Sequence, residues 1–138
     1  MDIIKSKDNN KIKYVRNLNL KKFRDEENAF FIEGIKFVDE AINEGADINF
    51  LLVSEEAYNK NEVKNIIDFI DEKKIVLCSD RVFGSAADTV SAQGILAVIN
   101  KNIADKSDVI NNCKFIIMCD RIQDPGNLGT IVRIADAF

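Results

Sequence analysis

Short apolar runs alternate with amphipathic stretches along most of this chain, and the alternation predicts its secondary structure. Four runs have the length and composition of buried strands: residues 29–32, 49–53, 75–78 and 94–99. Between them, apolar residues recur at helical spacing, which predicts three helices: residues 35–45, 63–74 and 80–87. Strands that alternate with helices indicate an α/β fold, and we expect a largely parallel sheet.

The first part of the chain has a different pattern, because its helical periodicity is combined with positive charge. Apolar residues at Ile12, Val15, Leu18 and Phe23 predict a basic amphipathic helix from about residue 11 to residue 24. The polar sequence at residues 17–19 predicts an interruption in this helix. Together with the strands and helices that follow, this segment is expected to form one domain over residues 1–100.

The remaining residues predict a linker at 101–113, which is polar and aperiodic, and a separate β-α unit at 114–138. An apolar strand is expected at 115–119, before Asp120. The sequence Asp124-Pro125-Gly126-Asn127 then predicts a tight turn, with Asn127 as the N-cap of the following helix. Ile131, Ile134 and Phe138 mark the apolar side of that helix.

Composition limits the classes of protein to which the chain can belong. Its 138 residues are 46% apolar and 30% charged, which is typical of a globular protein, and its apolar runs are too short to cross a membrane. No signal-peptide core is present, so Cys78, Cys113 and Cys119 are expected to be reduced thiols in a cytoplasmic protein. We expect Cys119 to be buried in its strand.

The absence of histidine excludes histidine-based general bases and most zinc sites. Asp120 and Asp124 have no evident third ligand beside them, so no metal site is predicted. The net charge of −4 is unevenly distributed: residues 5–24 carry +7, and residues 25–138 carry −10. A basic segment on an acidic body favours a surface that faces phosphate groups, although a solvated helix face would have the same composition.

The segment after residue 114 resembles motif 1 of the SpoU/TrmH family of RNA 2′-O-ribose methyltransferases. That motif is a strand followed by Asp-Pro-x-Asn-x-Gly and an arginine in the helix, and Asp124 to Gly129 with Arg133 match it without exception. The N-terminal part is similar to the substrate-binding domain of the same family. The matching features are Asn10-Lys11-Ile12-Lys13, Arg24, Phe31-x-Glu33-Gly34, Glu40-Ala41 and Gln93-Gly94-Ile95-Leu96-Ala97.

The resemblance implies a small three-layer α/β/α RNA-binding domain of the ribosomal-protein-like type, followed by the first β-α unit of a truncated knotted SPOUT domain. It implies a cytoplasmic, homodimeric enzyme that methylates ribosomal RNA with S-adenosylmethionine. Arg133 would activate the ribose hydroxyl, and Asn127 would order the loop and contact substrate. The expected RNA contacts are five cationic residues: Lys11, Lys13, Lys21, Lys22 and Arg24.

Two further expectations concern what this chain lacks. The cofactor-binding segments of the family follow motif 1, so we expect no cofactor-binding residue here and no catalysis by these 138 residues alone.

The alternative to a methyltransferase is a stand-alone RNA-binding module of the ribosomal-protein kind. A generic nucleotide-binding domain is less favoured, because no Gly-rich phosphate loop is present. We interpret Glu33 and Gly34 as a structural turn between a strand and a helix.

Overall fold

The computed structural model of the chain describes residues 2–87, 92–102, 107, 110–111 and 113–137. Two units can be distinguished, the N-terminal unit Met1–Asn102 and the C-terminal unit Ile103–Phe138. Most of the predicted linker at 101–113 lies outside the described residues.

A five-stranded sheet runs through the N-terminal unit. Its strands are β1 (Ile3–Ile4), β2 (Ala29–Glu33), β3 (Ile48–Ser54), β4 (Ile75–Cys78) and β5 (Ile95–Asn100). Their order across the sheet is β1-β4-β3-β5-β2. The four strands predicted from apolar runs are confirmed, whereas β1, with only two residues, was too short to predict.

The prediction of a largely parallel sheet is wrong, because the sheet is mixed. β4 pairs in parallel with β1 and β3, whereas β5 pairs antiparallel with both β3 and β2. The regular alternation of strands and helices suggested parallel neighbours. It does not determine which strands become adjacent, and β5 enters between two strands that precede it in sequence.

Helices cover both faces of the sheet. They are α1 (Asn10–Asn17), α2 (Lys21–Glu26), α3 (Ile35–Asn43), α4 (Glu55–Tyr58), α5 (Asn61–Ile67) and α6 (Asp80–Ala86), with a 3₁₀ turn at Glu72–Lys74. Buried residues of α1 and α6 form one core cluster with the sheet, and buried residues of α3, α4 and α5 form another. The predicted three-layer α/β/α arrangement is therefore confirmed.

The strands show why both layers form. In β3, Phe50 and Leu52 face the α1–α6 layer, whereas Leu51 and Val53 face the α3–α5 layer. All four are buried, because successive side chains of a strand point to opposite faces and both faces are covered. The break between α1 and α2 is at residues 18–20, close to the interruption predicted at 17–19.

The C-terminal unit contains the helix α7 (Pro125–Ala137). The strand predicted at 115–119 is not formed; these residues have no regular secondary structure and are exposed. A strand requires a neighbour for its backbone N–H and C=O groups, and no described residue supplies one. The expectation that Cys119 is buried is wrong for the same reason, and the predicted helical position of Phe138 lies outside the described residues.

Candidate functional site

The first candidate surface is formed by the basic residues of α1. The ammonium of Lys11 lies 4.4 Å from the centre of the Phe50 ring, in cation–π contact. Lys13 pairs with Asp8 at 3.2 Å, and both side chains are exposed. Beside them, Tyr14 contacts Phe23 edge to face with ring centres 5.5 Å apart, which joins α1 to α2. Lys11 and Lys13 therefore lie on a helix that contacts aromatic rings of the core and of α2.

The basic residues of α2 are paired along their own helix. Lys21 lies 3.3 Å from Asp25, and Lys22 lies 3.7 Å from Glu26, both at the i,i+4 spacing that brings helix side chains together. Asp25 also binds Lys101 at 2.8 Å. The hydrogen bond from Lys101, followed by that from Lys21, holds the pKa of the Asp25 carboxyl below its usual range. This surface therefore carries less net charge than the sequence count for residues 5–24 suggests.

Arg24 is half-buried and contacts the backbone. Its Nη1 donates to the carbonyl oxygens of Leu18 at 2.8 Å and Asn19 at 2.7 Å. Those two carbonyls lie in the break between α1 and α2, where the helical hydrogen-bond pattern is interrupted. Arg24 therefore fixes the angle between the two helices, and its Nη1 faces the protein backbone.

The turn between β2 and α3 requires glycine. Gly34 has φ +107°, and a Cβ atom there would lie 3.0 Å from Oε1 of Gln93. The same oxygen accepts the backbone N–H of Ile35 at 2.7 Å. Gln93 and Gly34, both within sequence features that resemble the family, are thus brought together by the fold.

The start of α7 differs from the prediction. Asp124, directly before Pro125, is the residue that caps the helix: its Oδ1 accepts the backbone N–H of Asn127 at 2.8 Å. Pro125 is the first helical residue, where its missing N–H and fixed φ are favourable. Asn127 therefore lies in the first turn of the helix, and its prediction as the N-cap is wrong.

Asn127 lines an open, largely apolar groove within the C-terminal unit. The residues that line the groove are Arg121, Ile122, Gln123, Asp124, Asn127, Thr130 and Ile131. Arg133 does not line it, but Nη2 of Arg133 donates to Oγ1 of Thr130 at 3.2 Å. Thr130 in turn donates to the Gly126 carbonyl oxygen at 2.9 Å. Thr130, which the sequence did not single out, therefore connects Arg133 to the groove that contains Asn127.

The described residues contain no group of three potential ligands that could hold a metal ion. Nor does any helix within those residues have the length and apolarity that crossing a membrane requires.

Known proteins resemble this chain over almost its whole length. Residues 9–97 match the family model of the MRM3-like substrate binding domain. The chain is 31% identical over 137 residues to the 23S rRNA (guanosine(2553)-2′-O)-methyltransferase RlmP of Bacillus subtilis, and the match covers 99% of this chain and 51% of RlmP. The chain thus spans about half the length of that relative.

Solved structures show the same similarity. An rRNA methyltransferase from Sinorhizobium meliloti has a TM-score of 0.78 and 25% identity, over 99% of this chain and 51% of that one. Its AdoMet-bound structure has a TM-score of 0.74 and 26% identity, with the same coverage. The SpoU methyltransferase AviRb from Streptomyces viridochromogenes, in complex with AdoMet, has a TM-score of 0.72 over 94% of this chain and 48% of that one. Its identity is 19%, so this last comparison supports the fold alone.

Proposed function

Because this chain belongs to the SpoU/TrmH family through its MRM3-like substrate-binding domain, we propose that the whole protein is an rRNA 2′-O-ribose methyltransferase that uses S-adenosylmethionine. The observation that carries the proposal is the order of two features in one chain. A substrate-binding domain over residues 9–97 is followed by a helix that begins Asp124-Pro125 and contains Asn127 and Arg133. RlmP and the AdoMet-bound Sinorhizobium enzyme support the reaction and the cofactor.

In this proposal, residues 1–100 bind the RNA substrate, residues 101–113 are a linker, and residues 114–138 begin the catalytic domain. Lys11, Lys13, Lys21 and Lys22 contact RNA phosphates through α1 and α2. The exposed ion pairs of Lys13, Lys21 and Lys22 can be exchanged for phosphate contacts at little cost, since such pairs contribute only about 0–1 kcal/mol. Arg24, also expected at this interface, contributes chiefly by holding α1 and α2 in position.

Arg133 is proposed to act on the reacting ribose. Methyl transfer to a 2′-hydroxyl requires that the hydroxyl lose its proton while the oxygen attacks the methyl group. An arginine guanidinium carries only donors and keeps its charge, so Arg133 would stabilise the developing negative oxygen while the proton passes to solvent water. The hydroxyl of Thr130 would orient the guanidinium, and Asn127 would contact the substrate from the groove.

The described residues fit S-adenosylmethionine poorly. The groove of residues 121–131 is open to solvent, and its lining comes from the start of one helix and the residues just before it, which favours a cofactor site formed elsewhere in the whole protein. We therefore assign no residue of this chain to the cofactor, which supplies the electrophilic methyl group when bound. A cytoplasmic homodimer that binds ribosomal RNA completes the proposal.

The proposed chemistry can be tested by replacing Arg133 in the whole protein. Arg133→Ala should lower the rate of tritiated-methyl transfer to ribosomal RNA by about 10²-fold or more, typical of a lost charge at a developing oxyanion. Affinity for the cofactor, measured by calorimetry, should change little. Arg133→Lys is the matched control, because it keeps the charge without the planar guanidinium and should retain part of the rate.

Three results would contradict parts of this proposal. Wild-type turnover by Arg133→Ala would remove the role given to this residue. RNA binding without any methyl transfer by the whole protein would instead favour the stand-alone RNA-binding module. Micromolar binding of S-adenosylmethionine by the 138-residue chain would show that cofactor contacts lie within it.

A further inference from the structure

The eight cationic side chains between Lys5 and Arg24 fall into two groups according to their contacts. Five of them contact a neighbour through an ion pair, a backbone carbonyl or an aromatic ring: Lys11, Lys13, Lys21, Lys22 and Arg24. The other three are Lys5, Lys7 and Arg16, which are exposed and form no ion pair with any described residue. The unpaired cations therefore lie outside the set that the motifs indicated.

The pairing of β1 with β4 brings Lys5, one of these three cations, close to a fourth cation, Arg81. β1 pairs in parallel with β4 through Ile4 and Cys78, and the backbone N–H of Ser79 donates to the Ile4 carbonyl at 3.0 Å. Lys5 follows β1 directly, and Arg81 is the second residue of α6, just after β4. Arg81 is exposed and, within the described part of the chain, also has no ion pair. Lys5 and Arg81 thus lie together at the end of the β1–β4 pair.

Asp80, the acidic residue directly before Arg81 in the sequence, is held by other contacts. Oδ1 of Asp80 accepts the backbone N–H of Glu56 at 3.2 Å, and a hydrogen bond from the Ser54 hydroxyl keeps the pKa of Asp80 low. Asp80 is therefore directed towards the start of α4 and not towards Lys5 or Arg81. The two cations remain available to an external anion.

Lys5 and Arg81 lie at one edge of the sheet and the basic residues of α2 lie at the other edge, in the same layer of helices. α2 packs beside β2 at one edge of the sheet, and β1 forms the other edge. α1 lies between them, since it packs against α6 and its Tyr14 contacts Phe23 of α2. Four strand spacings of about 4.8 Å separate the edges, or roughly 19 Å. Cations at both edges can therefore contact different phosphates of one RNA.

We propose that Lys5 and Arg81, here named the β1–α6 surface, bind the phosphate backbone of the RNA substrate together with α1 and α2. The inference rests on the proposed function, which already requires RNA to contact this layer. A phosphate that approaches Lys21 must first displace Asp25, whereas one that approaches Lys5 or Arg81 displaces only counterions and water. The β1–α6 surface therefore contributes more affinity per charge than the paired lysines.

The test compares three double variants of the 138-residue chain that each remove two positive charges. Lys5→Gln with Arg81→Gln changes the β1–α6 surface, and Lys21→Gln with Lys22→Gln changes α2. Lys36→Gln with Lys64→Gln is the matched control, because these residues are exposed on the opposite, α3–α5 layer. Binding to a fluorescein-labelled RNA hairpin of mixed sequence is measured by anisotropy over a series of salt concentrations, with thermal unfolding to check folding.

We expect the β1–α6 variant to bind on the order of tenfold more weakly at low salt and to lower the log–log salt slope by roughly 1.4–1.8. The control variant should bind like the wild type. If the β1–α6 variant matches the control while the α2 variant binds more weakly, the inference is overturned and the proposed function stands. If all variants and the wild type bind equally, or none binds RNA, the proposed RNA-binding role fails as well. Equal competition by polyglutamate would show that the surface takes an acidic polypeptide instead.

Discussion

Oε1 of Gln93 accepts the backbone N–H of Ile35 at 2.7 Å, across 58 positions of sequence. Ile35 is the first residue of α3, and Gly34 before it has no side chain with which to cap the helix. Gln93, two residues before β5, therefore supplies the cap that the helix lacks.

Replacing Gln93 should destabilise the N-terminal unit. Gln93→Ala should lower the free energy of unfolding by about 1 kcal/mol, the usual cost of a lost N-terminal cap. Gln93→Glu keeps the acceptor and adds a negative charge at the helix N-terminus, so it should remain within about 0.5 kcal/mol of the wild type. Urea unfolding followed by circular dichroism measures both values; equal losses in the two variants would contradict the capping role.

Arg24 and the lysines of α2 should have separable effects. Arg24→Gln removes charged hydrogen bonds to two backbone carbonyls and should lower the free energy of unfolding by about 1–2 kcal/mol. Lys21→Gln with Lys22→Gln removes only exposed ion pairs and should change it by less than about 0.5 kcal/mol. Thermal unfolding of both proteins provides the comparison. If Arg24→Gln is as stable as the wild type, Arg24 does not hold α1 and α2 in position. A direct contact with RNA would then be its expected role.

Two glycines should respond in opposite directions to alanine. A Cβ atom at Gly94 would lie 2.5 Å from Cβ of Ala57 and 2.6 Å from Oγ of Ser54, and its φ is +83°. Gly94→Ala should therefore lower the free energy of unfolding by about 2–4 kcal/mol. Gly84 lies in α6 with nothing within 4 Å, so Gly84→Ala should raise it by about 0.5–1 kcal/mol. Guanidinium unfolding tests the pair, and the same sign for both would contradict the geometry.

The three thiols should differ in reactivity. Burial, with smaller contributions from Asp80 and Glu55, raises the pKa of Cys78 from its ordinary value of 9.0 to about 12. Cys113 and Cys119 are exposed. At pH 8 a disulfide reagent such as dithionitrobenzoate should modify those two quickly and Cys78 only after unfolding, because the thiolate is the reactive form. Fast modification of all three thiols in the native protein would show that β4 opens readily.

The raised pKa of Cys78 also makes the stability of the protein depend on pH. A group whose pKa is higher in the folded state than in the unfolded state stabilises the folded state when the pH is below the unfolded-state pKa. This contribution is lost as the pH rises from the unfolded-state pKa to the folded-state pKa. Cys78 should therefore lower the stability between about pH 9 and pH 12. Cys78→Ala should remove that part of the alkaline loss in a pH series of urea unfolding curves.

The sequence predicted most of the N-terminal unit, because its core residues follow two clear periods. Ile12 and Val15 repeat at helical spacing and are buried in α1, and alternate residues of β3 face opposite layers. The direction of β5 could not be predicted, since a strand has the same apolar pattern whichever way its neighbours run. The strand at 115–119 was predicted from apolarity alone, which does not guarantee a pairing partner.

The candidate site was only partly accessible from the sequence. Both Asp124 and Asn127 have side chains that can cap a helix, and the position of Pro125 decides in favour of Asp124. The backbone contacts of Arg24 and the position of Arg81 beside Lys5 depend on which elements pack together, which charge patterns do not reveal. The functional roles of Asn127 and Arg133, and of the five cationic residues, remain predictions.

The position of β5 has a consequence for synthesis on the ribosome. β5 is the last of the five strands of this sheet to be made, yet it lies between β3 and β2. At translation rates of about 5–20 residues per second, β2 waits several seconds for β5, its partner among the strands that the structure describes. During that interval β1, β3 and β4 can already pair, whereas the edge of β3 must remain open to admit β5. We therefore expect the sheet to be completed when β5 adds between β3 and β2, and until then the backbone groups along that edge of β3 stay unpaired.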